Sequence, residues 1–192
     1  IYGENIYLGT NQGLFYKPIN GNDEFRFIMG TNGQVWSLDE INGELFCGHD
    51  SGTFNIQNNE AIRIASVQGT WGVKPIMGKK NLLLQGNYDG LNILEKKDDQ
   101  WSLRNKIKGF DISSRFFEFY NTETVFISHE YKGVFKIELD SSYRKAVKVV
   151  KQPSFENSLN SSLMKYNGEI FYATGNGIYR YDLKLNEFKR DS

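Results

Sequence analysis

The sequence predicts an all-β fold, a fragment of a β-propeller whose roughly five four-stranded blades form an open arc of a larger ring. The main observation is a repeat: an apolar segment, a small residue, a short polar turn, a glycine and a second apolar segment. The repeated glycine stands at five places, Gly13, Gly52, Gly90, Gly133 and Gly177. A period of about 40 residues is typical of four-stranded propeller blades. No segment shows a convincing helical period, which also favours strands.

Each repeat predicts four strands in a fixed order. A segment ending in a turn precedes the motif, as in VWSLDEI before Asn42-Gly43 and SLMKY before Asn167-Gly168. Asn-Gly between apolar segments is typical of a type I′ hairpin, because both central residues need positive φ. A fourth segment follows the motif. We therefore predict five blades, at about residues 1–30, 31–68, 69–109, 110–152 and 153–192.

The predicted strand edges agree with this arrangement. Pro75 falls in the first strand of the third unit, and proline within a sheet belongs on an edge. The last segment of the fourth unit carries charges that protect an exposed edge, namely Arg144, Lys145, Lys148 and Lys151. The first unit lacks an innermost strand, so we interpret the chain as an open arc cut from a larger ring.

Composition excludes some classes of function. Lys and Arg number 23 and Asp and Glu number 23, which gives a formal net charge of zero. A nucleic-acid binder would carry a basic excess, so we expect no direct nucleic-acid contact by this domain. The longest purely apolar stretches are only a few residues, whereas a membrane span needs about 20. Any membrane contact is therefore expected only through segments outside this sequence.

Two stretches carry a family resemblance, GQVWSLDEINGELFCGHDSGTFNI and GEIFYATGNGIYRYD. They resemble the propeller repeats of bacterial two-component-regulator sensors, in which a triple-tyrosine domain, a transmembrane helix and a cytoplasmic output follow the propeller. The resemblance implies a periplasmic ligand-sensing domain of a membrane-spanning regulator, with seven blades in the complete ring. It implies an output of the LuxR type or of the hybrid two-component type.

One face of the predicted propeller combines the residues that a ligand site needs. This face collects the hairpins between second and third strands and the links between blades, and it places aromatic rings beside polar groups. The candidate ligand-binding residues are His49, Asp50, Trp71, Tyr88, Asp89, His129, Glu130 and Tyr131. We expect a small ligand, with a carbohydrate as one candidate. Trp36 and Trp71 begin inner strands, and filling the core between blades is the alternative role for both.

Metal binding and catalysis are less well supported by the same residues. His49 and His129 stand beside carboxylates, but a catalytic zinc takes about three convergent protein ligands. The alternative role of each histidine is to close its hairpin by hydrogen bonding. Glycoside hydrolysis needs two carboxylates about 5 to 9 Å apart, whereas Asp50, Asp89 and Glu130 arise from three blades. We expect no enzyme activity, no metal and no organic cofactor. A glycan-active propeller enzyme and a protein-interaction scaffold are the alternative functions.

An open arc has two terminal blades without neighbours. Blade faces bury apolar side chains, so apolar surface is expected at both ends, near residues 6–15 and 170–181. Repeat arrays without capping units tend to associate for this reason. We therefore predict self-association through the terminal blades.

Overall fold

The computed structural model describes residues 1–152 and 160–191, and every regular element in this part of the chain is a β-strand. The strands form five separate antiparallel sheets, and within each sheet they pair in chain order. The sheets do not close into a ring. The predicted all-β propeller arc is confirmed.

The sheets are called blades 1 to 5. Blade 1 has three strands, β1 Asn5–Thr10, β2 Gly13–Pro18 and β3 Arg26–Phe27. Blade 2 has four, β4 Val35–Ile41, β5 Glu44–His49, β6 Gly52–Gln57 and β7 Glu60–Ala65. Blade 3 consists of β8 Gly72–Ile76, β9 Lys79–Asn87, β10 Gly90–Lys97 and β11 Gln100–Lys106. Blade 4 consists of β12 Phe116–Phe119, β13 Thr124–His129, β14 Gly133–Leu139 and β15 Ala146–Lys151. Blade 5 consists of β16 Ser162–Tyr166, β17 Glu169–Thr174, β18 Gly177–Asp182 and β19 Glu187–Arg190.

The predicted Asn-Gly turns and the Pro75 edge occur where the sequence placed them, but of the four predicted edge charges only Lys148 and Lys151 lie in β15, because the strand begins after Arg144 and Lys145. Asn42 and Gly43 have φ values of 54° and 78°, and Asn167 and Gly168 have 48° and 82°, as a type I′ hairpin requires. Pro75 lies in β8, which is the edge strand of blade 3. Local turn chemistry therefore sets the boundaries between strands.

The repeated glycine lies where the next link crosses the hairpin. Gly90 has a φ of 122°, and a Cβ atom there would lie 2.3 Å from the carbonyl oxygen of Phe110 in the link to blade 4. Both the backbone conformation and the close approach exclude a larger residue. The absence of a side chain at Gly90 thus lets the chain pass from blade 3 to blade 4.

The hydrophobic core lies between neighbouring sheets. Leu91 and Ile93 of β10 pack with Val125 and Ile127 of β13 in a cluster between blades 3 and 4, and all four side chains are fully buried. Blade 5 differs, because Ile178 in its third strand is 51% exposed. The middle blades are covered on both faces, whereas blade 5 is covered on one.

No helix of the described chain has the length and apolar character needed to span a membrane.

Candidate functional site

Three successive blades place a flat side chain at the same strand position. In each of blades 2, 3 and 4, one residue at the start of the first strand pairs with the small residue of the repeat motif. The residue immediately before it is Trp36 in blade 2, Trp71 in blade 3 and Arg115 in blade 4. The ring centroids of Trp36 and Trp71 are 4.5 Å apart. The guanidinium carbon of Arg115 lies 5.1 Å from the centroid of the Trp71 ring, a cation–π distance. We call these three residues the stacked row.

Backbone features fix the stacked row in place. The pairing of β4 with β5 shifts register between Val35 and Ser37, so Trp36 lies in a β-bulge, a feature that redirects a side chain. The amide of Trp71 donates to the carbonyl of Gly86 at 2.8 Å. Its indole Nε1 donates to Ser113 Oγ at 3.0 Å. The rings are therefore held before any ligand arrives.

Tyr88 extends the aromatic surface from the hairpin of blade 3. Its ring centroid is 5.1 Å from that of Trp71 and 6.4 Å from that of Trp36, both in edge geometry. Edge contacts between aromatic rings are favourable, because the positive edge of one ring meets the negative face of the other. Tyr88 remains 41% exposed, so it also offers surface to solvent.

An open cleft of about 190 Å³ lies next to the stacked row. It is lined by the residue before β8, by the blade 3–4 link, and by the strands and hairpin of blade 4, namely Trp71, Ser113, Arg115, Phe116, Ser128, His129, Glu130 and Tyr131. Tyr131 is 65% exposed and stands at the rim. We refer to this feature as the cleft.

The charges of the cleft form one ion pair. Arg115 Nη1 lies 3.0 Å from Glu130 Oε1, and the same guanidinium lies 5.1 Å from the Phe116 ring. His129 accepts a hydrogen bond from the amide of Tyr131 at its Nδ1, at 3.1 Å. Partial burial and the nearby Lys132 lower the pKa of His129, against an opposing effect of Glu130, so its ring is mainly neutral at neutral pH.

Charged residues follow the stacked row three positions further along the same strands. They are Asp39, Lys74 and Glu118, and Lys74 Nζ lies 2.7 Å from Glu118 Oε1. Asp39 accepts hydrogen bonds from Ser37 Oγ at 2.7 Å and from the Val73 amide at 3.0 Å. Burial raises the pKa of Asp39. These contacts join the first strands of blades 2, 3 and 4 to each other.

His49 does not reach the surface, so the expected contact of its side chain with a ligand is not possible in this structure. The ring is fully buried. Its Nε2 donates to the Thr31 carbonyl at 3.2 Å, and its Nδ1 accepts from the Ser51 amide at 3.0 Å. An oxygen of Asp50 also lies 2.7 Å from Nδ1. His49 therefore shapes the blade 2 hairpin, and we leave it out of the site.

The three predicted carboxylates lie in separate pairs. Asp50 lies against His49, Glu130 pairs with Arg115, and Asp89 lies 3.0 Å from Lys106 Nζ. Within the described residues, no group of three or more His, Cys, Asp or Glu side chains could hold a metal ion.

The structure thus brings together part of the predicted set. Four of its members line the cleft, namely Trp71, His129, Glu130 and Tyr131. Tyr88 packs beside Trp71. His49, Asp50 and Asp89 do not line the cleft.

Sequence reasoning missed Arg115, Ser113 and Phe116, and it left Trp36 without a place in the site. The sequence held a signal for them in its residue spacing. Trp36, Trp71 and Arg115 each stand three positions before a charged residue, namely Asp39, Lys74 and Glu118 respectively. Aligning the first strands of the repeats would have placed the three together.

The chain matches no protein-family model and no curated protein sequence. Its structure is similar to the WD40 β-propeller domain of Doa1, with a TM-score of 0.66 and 12% identity over 99% of this chain and 66% of that one. It is also similar to two structures of the extracellular domain of BT4673 from B. thetaiotaomicron. That protein is assigned to a one-component system in one structure and to a hybrid two-component system in the other.

The two BT4673 structures give TM-scores of 0.63 and 0.61, each at 15% identity. Each match covers 98% of this chain and 26% of the BT4673 chain, so this sequence spans about a quarter of that domain. Likeness at this identity establishes the propeller fold. What the chain binds has to be argued from its own residues.

Proposed function

We propose that this chain is a ligand-sensing propeller module of a membrane-spanning signal-transduction regulator, placed in the periplasm. The observation that carries the proposal is the stacked row of Trp36, Trp71 and Arg115 beside an open cleft. Similarity to an extracellular domain of a signalling protein supports the extracytoplasmic placement. The resemblance of the repeats to two-component-regulator propellers supports a transcriptional output of the LuxR or hybrid type.

The chemistry of the cleft suits a carbohydrate. The C–H faces of a sugar ring pack on aromatic planes, which the exposed ring of Tyr131 supplies at the cleft. Sugar hydroxyls need charged or hydroxyl partners, which the Arg115–Glu130 pair and Ser113 offer. Aromatic area provides affinity, and the few polar groups fix the orientation of the ligand.

We propose binding without catalysis. The proposal is supported by the separation of the three predicted carboxylates. Asp50 lies against the ring of His49. Asp89 pairs with Lys106, and Glu130 pairs with Arg115. Two carboxylates acting on one glycosidic bond have to face a shared space. We further propose that this domain makes no direct nucleic-acid contact and that membrane attachment comes from segments outside this sequence.

Tryptophan fluorescence tests this proposal directly. The chain has three tryptophans. Trp36 and Trp71 lie in the stacked row, whereas Trp101 is buried elsewhere and donates from Nε1 to Glu44 at 3.1 Å. Titration with cellotetraose, maltotetraose, xylotetraose and mannotetraose should give a saturable change in emission with at least one of them. No saturable change with any of these sugars would count against a carbohydrate ligand.

Two tyrosine variants separate the cleft from a general surface effect. Tyr131 and Tyr166 are exposed to nearly the same extent, 65% and 66%, but only Tyr131 lines the cleft. Tyr131→Ala should weaken binding of the responding sugar about tenfold, the usual effect of losing one aromatic anchor. Tyr166→Ala should bind like the unaltered chain. Equal weakening by both variants would contradict the placement of the site.

A further inference from the structure

A second concave surface lies at the outer strands of blades 3 and 4, away from the cleft. It has a volume of about 380 Å³. Its lining residues are Asn105, Lys106, Lys108, Asp140, Ser142, Arg144 and Lys145. We call this feature the basic groove, because four of its seven lining residues are cationic.

Three of these cations are not neutralised by a carboxylate in the part of the chain that the structure describes. The side chains of Lys108, Arg144 and Lys145 are exposed, and none of them forms an ion pair with another described residue. Lys106 differs, because its ammonium lies 3.0 Å from Asp89 and 2.7 Å from Asp111. The three charges therefore make the groove positive in a chain whose net charge is zero.

The carboxylates near the groove are already engaged. Asp140 Oδ1 accepts from the amides of Arg144 and Lys145 at 2.8 and 2.7 Å, and its Oδ2 accepts from Ser142 Oγ. Glu95 lies 2.9 Å from Lys97. The hydrogen bond from Lys97 lowers the pKa of Glu95, and the charges of Lys97, Arg104 and Arg144 contribute, so Glu95 interacts electrostatically with this arginine. Asp140 also stays ionised in the groove, beside Lys145, so the three unpaired cations outweigh one carboxylate charge.

Main-chain contacts bring the backbones of these three residues together. The amide of Lys108 donates to the carbonyl of Arg144 at 2.9 Å, and the amide of Ala146 donates back to Lys108 at 2.8 Å. The loop that carries Arg144 is also anchored by Tyr143, whose side chain is 3% exposed and whose φ is 56°. Asn105 Nδ2 donates to the carbonyl of Tyr143 at 3.0 Å. Hydrogen bonds thus hold the backbone on both sides of the groove.

We propose that the basic groove binds a phosphate or sulfate group, either as the free ion or as an ester on a larger ligand. An arginine fork gives two parallel hydrogen bonds to such an oxyanion, and lysine ammonium groups add point charges. Arg144 supplies the fork, and Lys108 and Lys145 supply the ammonium groups. The groove is separate from the cleft, so this proposal does not depend on the proposed function.

The test measures anion binding by calorimetry at low ionic strength, with the intact chain. The probes are inorganic phosphate, inorganic sulfate, a hexose phosphate and a sulfated hexosamine. Arg144→Ala combined with Lys145→Ala should weaken binding roughly tenfold or more, the effect of losing charge-assisted hydrogen bonds. The matched control is Lys79→Ala combined with Lys80→Ala, which removes the same charge from exposed positions of blade 3.

The outcomes separate the sources of the anion. If the two esters bind more tightly than the inorganic ions, the anion is a group carried on a larger ligand. If the inorganic ions bind as tightly as the esters, the groove recognises the free ion. Saturable binding that the control variant retains and the groove variant loses confirms the site. Absence of saturable binding of all four probes, or equal loss in both double variants, overturns the proposal. Circular dichroism of each variant establishes that it is folded.

Discussion

The ring of Tyr88 lies directly on the backbone of Gly69. A Cβ atom built at Gly69 would meet three carbons of that ring at 2.1 to 2.2 Å. Gly69 belongs to the link that leads into blade 3, and its amide donates to the carbonyl of Asp50 at 2.7 Å. The absence of a side chain at Gly69 therefore lets Tyr88 fold down toward Trp71.

Gly69→Ala should displace Tyr88 and destabilise the chain. The variant adds the clash with the ring to the strain of a φ of 67°, and together these should cost about 2 to 4 kcal/mol of unfolding free energy. Gly78→Ala is the matched control, because Gly78 has a φ of 73° and a Cβ atom at that position would meet nothing within 4 Å. Urea denaturation of both variants measures the difference. Equal losses would mean that the Tyr88 contact contributes nothing.

Asn87 is the centre of a buried hydrogen-bond network between blades 2 and 3. Its Oδ1 accepts from Gln85 and Asn92 at 3.0 Å each, and its Nδ2 donates to Thr70 Oγ1 at 2.9 Å. Asn87→Ala leaves two buried amide donors without an acceptor, so the unfolding free energy should fall by about 2 to 5 kcal/mol. The control is Asn81→Ala at an exposed position. A loss no larger than that of the control in urea denaturation would contradict this account.

Asp140 should make stability depend on acid pH. The hydrogen bond from Ser142, followed by those from the amides of Lys145 and Arg144, lowers its pKa to about 2. A carboxyl whose pKa is lowered by folding stabilises the fold above its unfolded pKa, near 4, and this contribution is lost as pH falls through the folded pKa. Asp140→Asn should therefore be less stable than the unaltered chain at neutral pH, with the gap closing between about pH 4 and pH 2. A gap that stays constant over this range would show that the charge is not the cause.

Self-association through the terminal blades remains a prediction. Leu8 of blade 1 is 45% exposed, and Tyr166 and Ile178 of blade 5 are 66% and 51% exposed. Ile178→Glu should raise the dissociation constant of the associated form about tenfold, because a charge would enter an apolar contact. Leu103→Glu on blade 3, where Leu103 is 39% exposed, is the control. Sedimentation showing a single monomeric species at high micromolar concentration would contradict the prediction.

The sequence predicted the fold because the signals for strands and hairpins are local. Asn42 and Gly43 both have positive φ values, because a two-residue hairpin turn requires them at its two central positions. The repeat spacing then fixed the order of strands within each blade. About half of the candidate site was found in the same way, since Trp71, His129, Glu130 and Tyr131 all lie next to hairpins or links.

Contacts between blades were decided only by the tertiary structure. Residues about 40 positions apart become neighbours when sheets pack side by side, and no local pattern reports that approach. The sequence therefore did not show that Arg115 would stack on Trp71, or that the hairpin of His49 would be sealed by Thr31 of the preceding link. Local chemistry determined which residues could face the cleft, and lateral packing of the blades decided which of them do.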